Sequence, residues 1–220
     1  MSRPRTRFLR AFTKVELLAV LVVFGLLVLM TIPAMSKARE RRNRIACVNN
    51  FKYIGLSFRI FPTDQDGYFP WNVDTNRGGT IRHATDPAAL WRHLLAISNE
   101  IGHPKVFICP SDRERRAATS WSEFTNNRFV SYALGLSASE EAPNTILGAD
   151  RNIRLDGAVL SNTIISFSSN ALVTFDQRLH NEAGNLLLGD GSVQQVSSRN
   201  LSEFFRDAHQ ANGTNVLAFP

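Results

Sequence analysis

Residues 17–35 carry no charged side chain over nineteen positions, LLAVLVVFGLLVLMTIPAM, and nothing else in the chain restricts its fold as strongly. As a helix rising 1.5 Å per residue, such a run covers about 28 Å, close to the hydrocarbon thickness of a bilayer. It is longer than a secretory h-region, and no A-x-A-like cleavage site follows it. A surface helix would need a polar face, and this run has none. The run reads as a membrane anchor, with a buried core helix as the alternative.

Glu16 sits at the mouth of this run. A carboxylate there is costly to insert unless it is paired or held at the interface. Thr13, three residues earlier, predicts a capping box in which the two residues bond each other's backbone at a helix start.

The formal net charge of +6 invites a nucleic-acid reading, but the charge is partitioned. Residues 1–44 hold ten Lys/Arg against Glu16 and Glu40, a net +8. The remaining residues hold fifteen basic and seventeen acidic side chains, a net −2. The basicity therefore belongs to the leader and to a charged collar from Lys37 to Arg44, which suits headgroup phosphates or solvent. The rest offers no general polyanion surface, and no nucleic-acid partner is expected. Basic residues flank the span on both sides, so charge alone does not orient it.

The chain divides into a basic leader (residues 1–11), a long helix (residues 12–60, spanning the membrane over about 12–35) and an α+β head (residues 61–220). Gly25 and Pro33 are the helix's weak points, with Pro33 predicted to kink or loosen it. Ile45, Val48, Phe51, Ile54 and Phe58 recur near helical spacing and predict the stripe that packs on the head. Asp86-Pro87 predicts a second helix over residues 87–98, with Leu90, Trp91, Leu94 and Leu95 inward. Strands are predicted at KVFIC, RFVSYAL, NTILGA, ALVTF, NLLLG and SVQQV. Asp190-Gly191 predicts a type I′ hairpin between the last two. A helix over residues 201–209 and a strand at Val216–Phe219 close the chain. The fold class is α+β, a long N-terminal helix packed on an antiparallel sheet.

A basic leader, the small residue Ala11, then Phe12-Thr13-x-x-Glu16, then a span with a proline near its far end resembles the N-terminus of type IV pilins and type II secretion pseudopilins. Ala11 stands where that family usually carries glycine. Cys47-Val48-Asn49-Asn50-Phe51-Lys52, Cys109-Pro110-Ser111-Asp112, and His180 followed after nine residues by Asp190-Gly191 resemble a group of prepilin-type proteins with an H-x9-DG C-terminal motif. The resemblance implies a pilin-like fold and cleavage by a prepilin peptidase between Ala11 and Phe12. It also implies N-methylation of Phe12 and pairing of Glu16 with the new amine, its own or a neighbouring subunit's. Other pilin or pseudopilin subunits and the lipid bilayer are the implied partners. The implied location is a bacterial inner membrane, with the leader cytoplasmic and the head periplasmic or extracellular. A single-pass tethered binding module that does not polymerise is the rival reading.

On that topology both cysteines, Cys47 and Cys109, reach an oxidising compartment, where a disulfide would close a loop of about sixty residues, for which chain entropy gives roughly 4 kcal/mol. Two buried free thiols are the alternative. Asp64 and Asp66 form a D-x-D-G fragment, but the glutamate of a calcium loop is replaced by Thr75, so a carboxylate-bearing turn is the simpler reading. His83, His93, His103, His180 and His209 accompany no G-x-S-x-G, H-E-x-x-H or phosphate-binding glycine loop. His180 and Asp190 are placed to bond across the last hairpin, ordering it. No catalytic, cofactor or metal residue is assigned.

Overall fold

The computed structural model describes residues 13–220, which divide between Arg41 and Arg42 into two units. The leader and Phe12, and with them the cleavage position Ala11–Phe12, lie outside the described residues. Helix α1 (Lys14–Ile60) contributes to both units, and helical backbone continues through Gly25 and Pro33.

In the first unit α1 is long and apolar enough to cross a membrane. Its large apolar side chains are exposed, Leu29 at 69 % and Met30 at 76 %.

The second unit is α+β. Its strands are β1 (Tyr132–Gly135), β2 (Ile146–Asp150), β3 (Ile153–Leu155), β4 (Ala158–Val159), β5 (Thr163–Ser166), β6 (Val173–Phe175), β7 (Ala183–Leu188), β8 (Val193–Ser197) and β9 (Val216–Phe219). Six form one antiparallel sheet in the order β5-β9-β1-β2-β7-β8, and β4-β3-β6 form a smaller antiparallel one. Side chains alternate across a strand, so each large-sheet strand feeds two cores. Tyr132, Leu134, Leu147 and Leu187 pack with Cys47, Phe51, Ile54 and Phe58 of α1. Ala133, Ile146, Leu186 and Leu188 face the opposite core, with Leu201 and Phe205 of α3 (Ser198–Asn212) and Val173 and Phe175 of the small sheet. Helix α1 lies close at Gly55, where a Cβ would stand 2.6 Å from Leu187 Cδ1.

Several sequence expectations are corrected. The stripe on α1 begins at Cys47, whereas Ile45 is 50 % exposed. Spacing of 4, 3 and 4 from Cys47 through Phe51 and Ile54 to Phe58 follows one helix face, and Ile45 falls off it. The second helix, α2, is only Leu90–Leu95. Beyond it the bonds tighten to the i→i−3 pattern, Ser98 N to Leu95 O and Glu100 N to Ile97 O, so the chain turns instead of extending the α-helix. Buried His93 takes the inward place expected of Trp91 and Leu95, which are half-buried. KVFIC is a 3-10 turn, Pro104–Phe107, seeded by Pro104 at its first position. Val106 and Phe107 are both buried, so the run lacks the alternation of a half-exposed strand.

The type I′ hairpin turn falls at Asp156-Gly157, not at Asp190-Gly191. At Asp156-Gly157, between β3 and β4, both φ are positive (50° and 81°), as a type I′ turn needs. At Asp190-Gly191 only Gly191 is positive, at 82°. Gly191 N donates to Leu188 O, and Leu188 N to Ser192 O. That hairpin is therefore a three-residue loop with Gly191 in the left-handed position of a G1 bulge, not a type I′ turn.

Candidate functional site

The N-terminal signature ends in a closed capping box. Thr13 N and Thr13 Oγ1 both donate to Glu16 Oε2, each at 2.9 Å, and Glu16 N donates back to Thr13 Oγ1 at 3.2 Å. These bonds satisfy donors that the first turn of a helix leaves open.

The motifs of the head converge on one buried cluster. Cys47, on the inward face of α1, and Cys109, just after the 3-10 turn, form a disulfide with a Cα–Cα distance of 5.3 Å. Asn50, one turn further along α1, donates from Nδ2 to Ile108 O at 3.0 Å and to the Tyr132 hydroxyl at 3.3 Å. His180, just before β7, places Nε2 3.4 Å from Cys109 Sγ and 3.5 Å from Asp150 Oδ2. Asp150 ends β2 and accepts from the backbone N and the Nδ2 of Asn185, at 2.7 and 2.8 Å. Burial pushes the Asp150 carboxyl up to about 7, although the Asn185 bonds and the Arg44 charge oppose that. Burial, aided by the charge of Arg44, pushes His180 down to about 4. Near neutral pH the imidazole is therefore uncharged, and the His180–Asp150 contact is not a full ion pair.

Asp112 of the C-P-S-D segment anchors a second network beside this one. Its Oδ1 accepts from Arg151 Nη2 at 2.8 Å, and its Oδ2 from Arg151 Nε at 2.6 Å and from Ser131 Oγ at 2.8 Å. Burial alone would raise this carboxyl, but the two-pronged Arg151 contact holds it below the ordinary carboxylate range. The cysteine and the aspartate of one four-residue segment thus tie it to α1 and to the residue following β2.

Comparison with family models, curated proteins and solved structures returns no match.

Other sequence-selected residues lie apart from the cluster. Asp190 is exposed, accepts from Ser192 N through Oδ1 at 2.8 Å, and receives Arg59 Nη1 on its carbonyl at 3.2 Å. The expected His180–Asp190 bond is replaced by the His180 contacts to Cys109 and Asp150, because His180 points into the core while the hairpin tip faces solvent. Asp66 is paired with Arg77 at 2.9 Å. Its partner in the D-x-D-G fragment, Asp64, is exposed at the end of the 3-10 turn Phe61–Asp64. His93 is buried against Thr80, Nδ1 to Oγ1 at 2.7 Å. A depression of about 400 Å³ is lined by Arg154, Phe175, Asp176, Gln177, Arg178 and Glu182. There Arg178 Nε stands 2.7 Å from Asp176 Oδ2, while Arg154 Nε and Arg178 Nη2 are buried without a hydrogen-bond partner among the described residues.

Sequence reasoning missed Asp150, Asn185 and Arg44. A signal for the first was present: a carboxylate closing the apolar strand ILGAD is a polar group destined for burial with partners.

Proposed function

We propose that the chain is a membrane-anchored pilin-like or pseudopilin structural subunit. A prepilin peptidase cuts between Ala11 and Phe12 on the cytoplasmic side of a bacterial inner membrane, and Phe12 becomes N-methylated. The subunit is stored in the bilayer and then joins a type II secretion or type IV pilus-like filament through its N-terminal helix. The head, periplasmic or extracellular, sits on α1 in a pilin-like arrangement.

The observation that carries this reading is the capping box at the mouth of an exposed apolar helix. Among the described residues nothing covers the large apolar side chains from Val15 to Ile32, so they need lipid or neighbouring helices. Among the described residues the Glu16 carboxylate is bonded to Thr13 alone. Placed in lipid, it gains most from a cation, and cleavage creates one at the amine of Phe12. Such a pair selects the register in which a neighbour's amine meets the carboxylate. Within the second unit the disulfide ties the Cys47 end of α1 to the head, and the Asp112–Arg151 network lies beside it.

Glu16→Ala is expected to insert into membranes as well as the native chain, since a charge leaves the apolar region, but to be lost from filaments. Site-specific cross-linking between the α1 helices of neighbouring subunits measures this. Native cross-linking yields in the variant contradict an assembly role and favour a simple tether, which has no use for the carboxylate.

A further inference from the structure

The sulfurs of Cys47 and Cys109 and Nε2 of His180 lie within 4.8 Å of one another, and all three residues are buried. Two sulfurs and an imidazole nitrogen are the donor set of Zn²⁺ sites. In the disulfide the sulfurs are committed to each other, so this donor set becomes available only when that bond is cleaved. We infer that Cys47, Cys109 and His180 form a redox-gated site for Zn²⁺, closed as a disulfide and open as a dithiol.

Geometry favours it. Tetrahedral Zn²⁺ with Zn–S near 2.3 Å and Zn–N near 2.0 Å sets the two sulfurs about 3.8 Å apart and each sulfur about 3.5 Å from the nitrogen. The Cys109 Sγ–His180 Nε2 separation is already 3.4 Å. The Cα atoms stand 5.3 Å apart, so rotation about χ1 separates the sulfurs without moving the backbone. Charge favours Zn²⁺ over a monovalent soft ion. Two thiolates and a neutral imidazole cancel a 2+ charge, which suits a buried centre, whereas Cu⁺ would leave a net negative one.

The surroundings hold two unexplained polar atoms. Asp150 Oδ1 and His180 Nδ1 are both buried and without a hydrogen-bond partner. Binding through Nε2 moves the ring proton to Nδ1. Asp150 Oδ2 stands 3.5 Å from Nε2, which puts a carboxylate beside the three donors.

The chemistry balances with a dithiol or phosphine reductant. A phosphine breaks the S–S bond and takes an oxygen from water, giving the phosphine oxide and two thiols. Zn²⁺ then displaces both thiol protons, and two Zn–S bonds form.

The test uses the full-length chain in detergent, oxidised or reduced with a water-soluble phosphine, titrated with Co²⁺ and then Zn²⁺. Reduced chain is expected to bind one Co²⁺ with a thiolate charge-transfer band that one equivalent of Zn²⁺ abolishes, and oxidised chain to bind none. Zn²⁺ should raise the melting temperature of the reduced chain alone. Cys47→Ser and Cys109→Ser should each abolish the band. His180→Ala should weaken binding by more than the 10- to 100-fold that a merely supporting residue costs. X-ray absorption of the Zn-loaded native chain, which needs no variant to fold, should count two sulfurs and at least one imidazole nitrogen. Equal uptake by oxidised and reduced chain overturns the inference, as does no uptake after reduction. A shell lacking nitrogen, or unchanged affinity in a folded His180→Ala, overturns the three-residue site.

Discussion

Gly191 and Gly55 show how single positions set the head's geometry. At Gly191 the φ of 82° and an Arg59 Cδ atom 3.1 Å from where a Cβ would stand both act against a side chain. Gly191→Val should cost about 1–3 kcal/mol, read by urea unfolding of the native and variant chains. At Gly55 the obstacle is the end of the Leu187 side chain, not backbone. Gly55→Ala should be near neutral, because a helix-propensity gain of about 1 kcal/mol offsets the shift of Leu187. Gly55→Val should cost about 2 kcal/mol, since the extra methyls overpack the α1–sheet contact. His93 supplies one part of the pH dependence, beside buried His180 and Asp150. Burial, with the charge of His83, lowers it to about 4. Between that value and about 6.5 the unfolded chain binds a proton that the folded chain refuses. The stability His93 provides is therefore complete above pH 6.5 and lost as pH falls toward 4. At pH 5 the native chain should have lost about 2 kcal/mol relative to pH 7 through this residue. His93→Asn should flatten the slope by that amount in paired denaturation curves, where contributions of other groups cancel.

Elements were legible in the sequence where their periodicity was long or their turn chemistry unambiguous. Helix α1 and the strands β1, β2, β6, β7, β8 and β9 all fall on runs read from the pattern, β9 to the residue. Strands β3, β4 and β5 are two to four residues long, too short for alternation to register, and the Asp156-Gly157 turn between the first two was not read from the sequence. KVFIC misled because a short apolar run buried on all sides looks the same in a strand and in a turn. The cluster around Cys47 was half legible. Its cysteines and His180 stood out as motif residues, but Asp150 and Asn185 meet them only through the register of β2 and β7, which no local pattern encodes. The disulfide closes a separation of 62 residues between α1 and the head. Removing it with Cys47→Ala/Cys109→Ala should cost up to about 4 kcal/mol by chain entropy. A variant pair that unfolds at the native denaturant midpoint would show that the bridge does not restrain the unfolded chain.

Across the whole molecule, charge and hydropathy assign two environments. The exposed apolar residues of the first unit lie in sequence between a basic leader and a basic collar, while the second unit has its own cores and residues 45–220 carry a slight negative balance. The helix of the first unit is long and apolar enough to cross a membrane, as the proposed subunit role requires. The proposed subunit role adds one covalent event to that picture, and this event is the most direct test. The full-length chain should be expressed in membranes containing an active prepilin peptidase, and its N-terminus determined by intact-mass and peptide mass spectrometry. The account predicts a mature chain beginning at an N-methylated Phe12, with residues 1–11 gone. Chains that retain residues 1–11 in those membranes would contradict it.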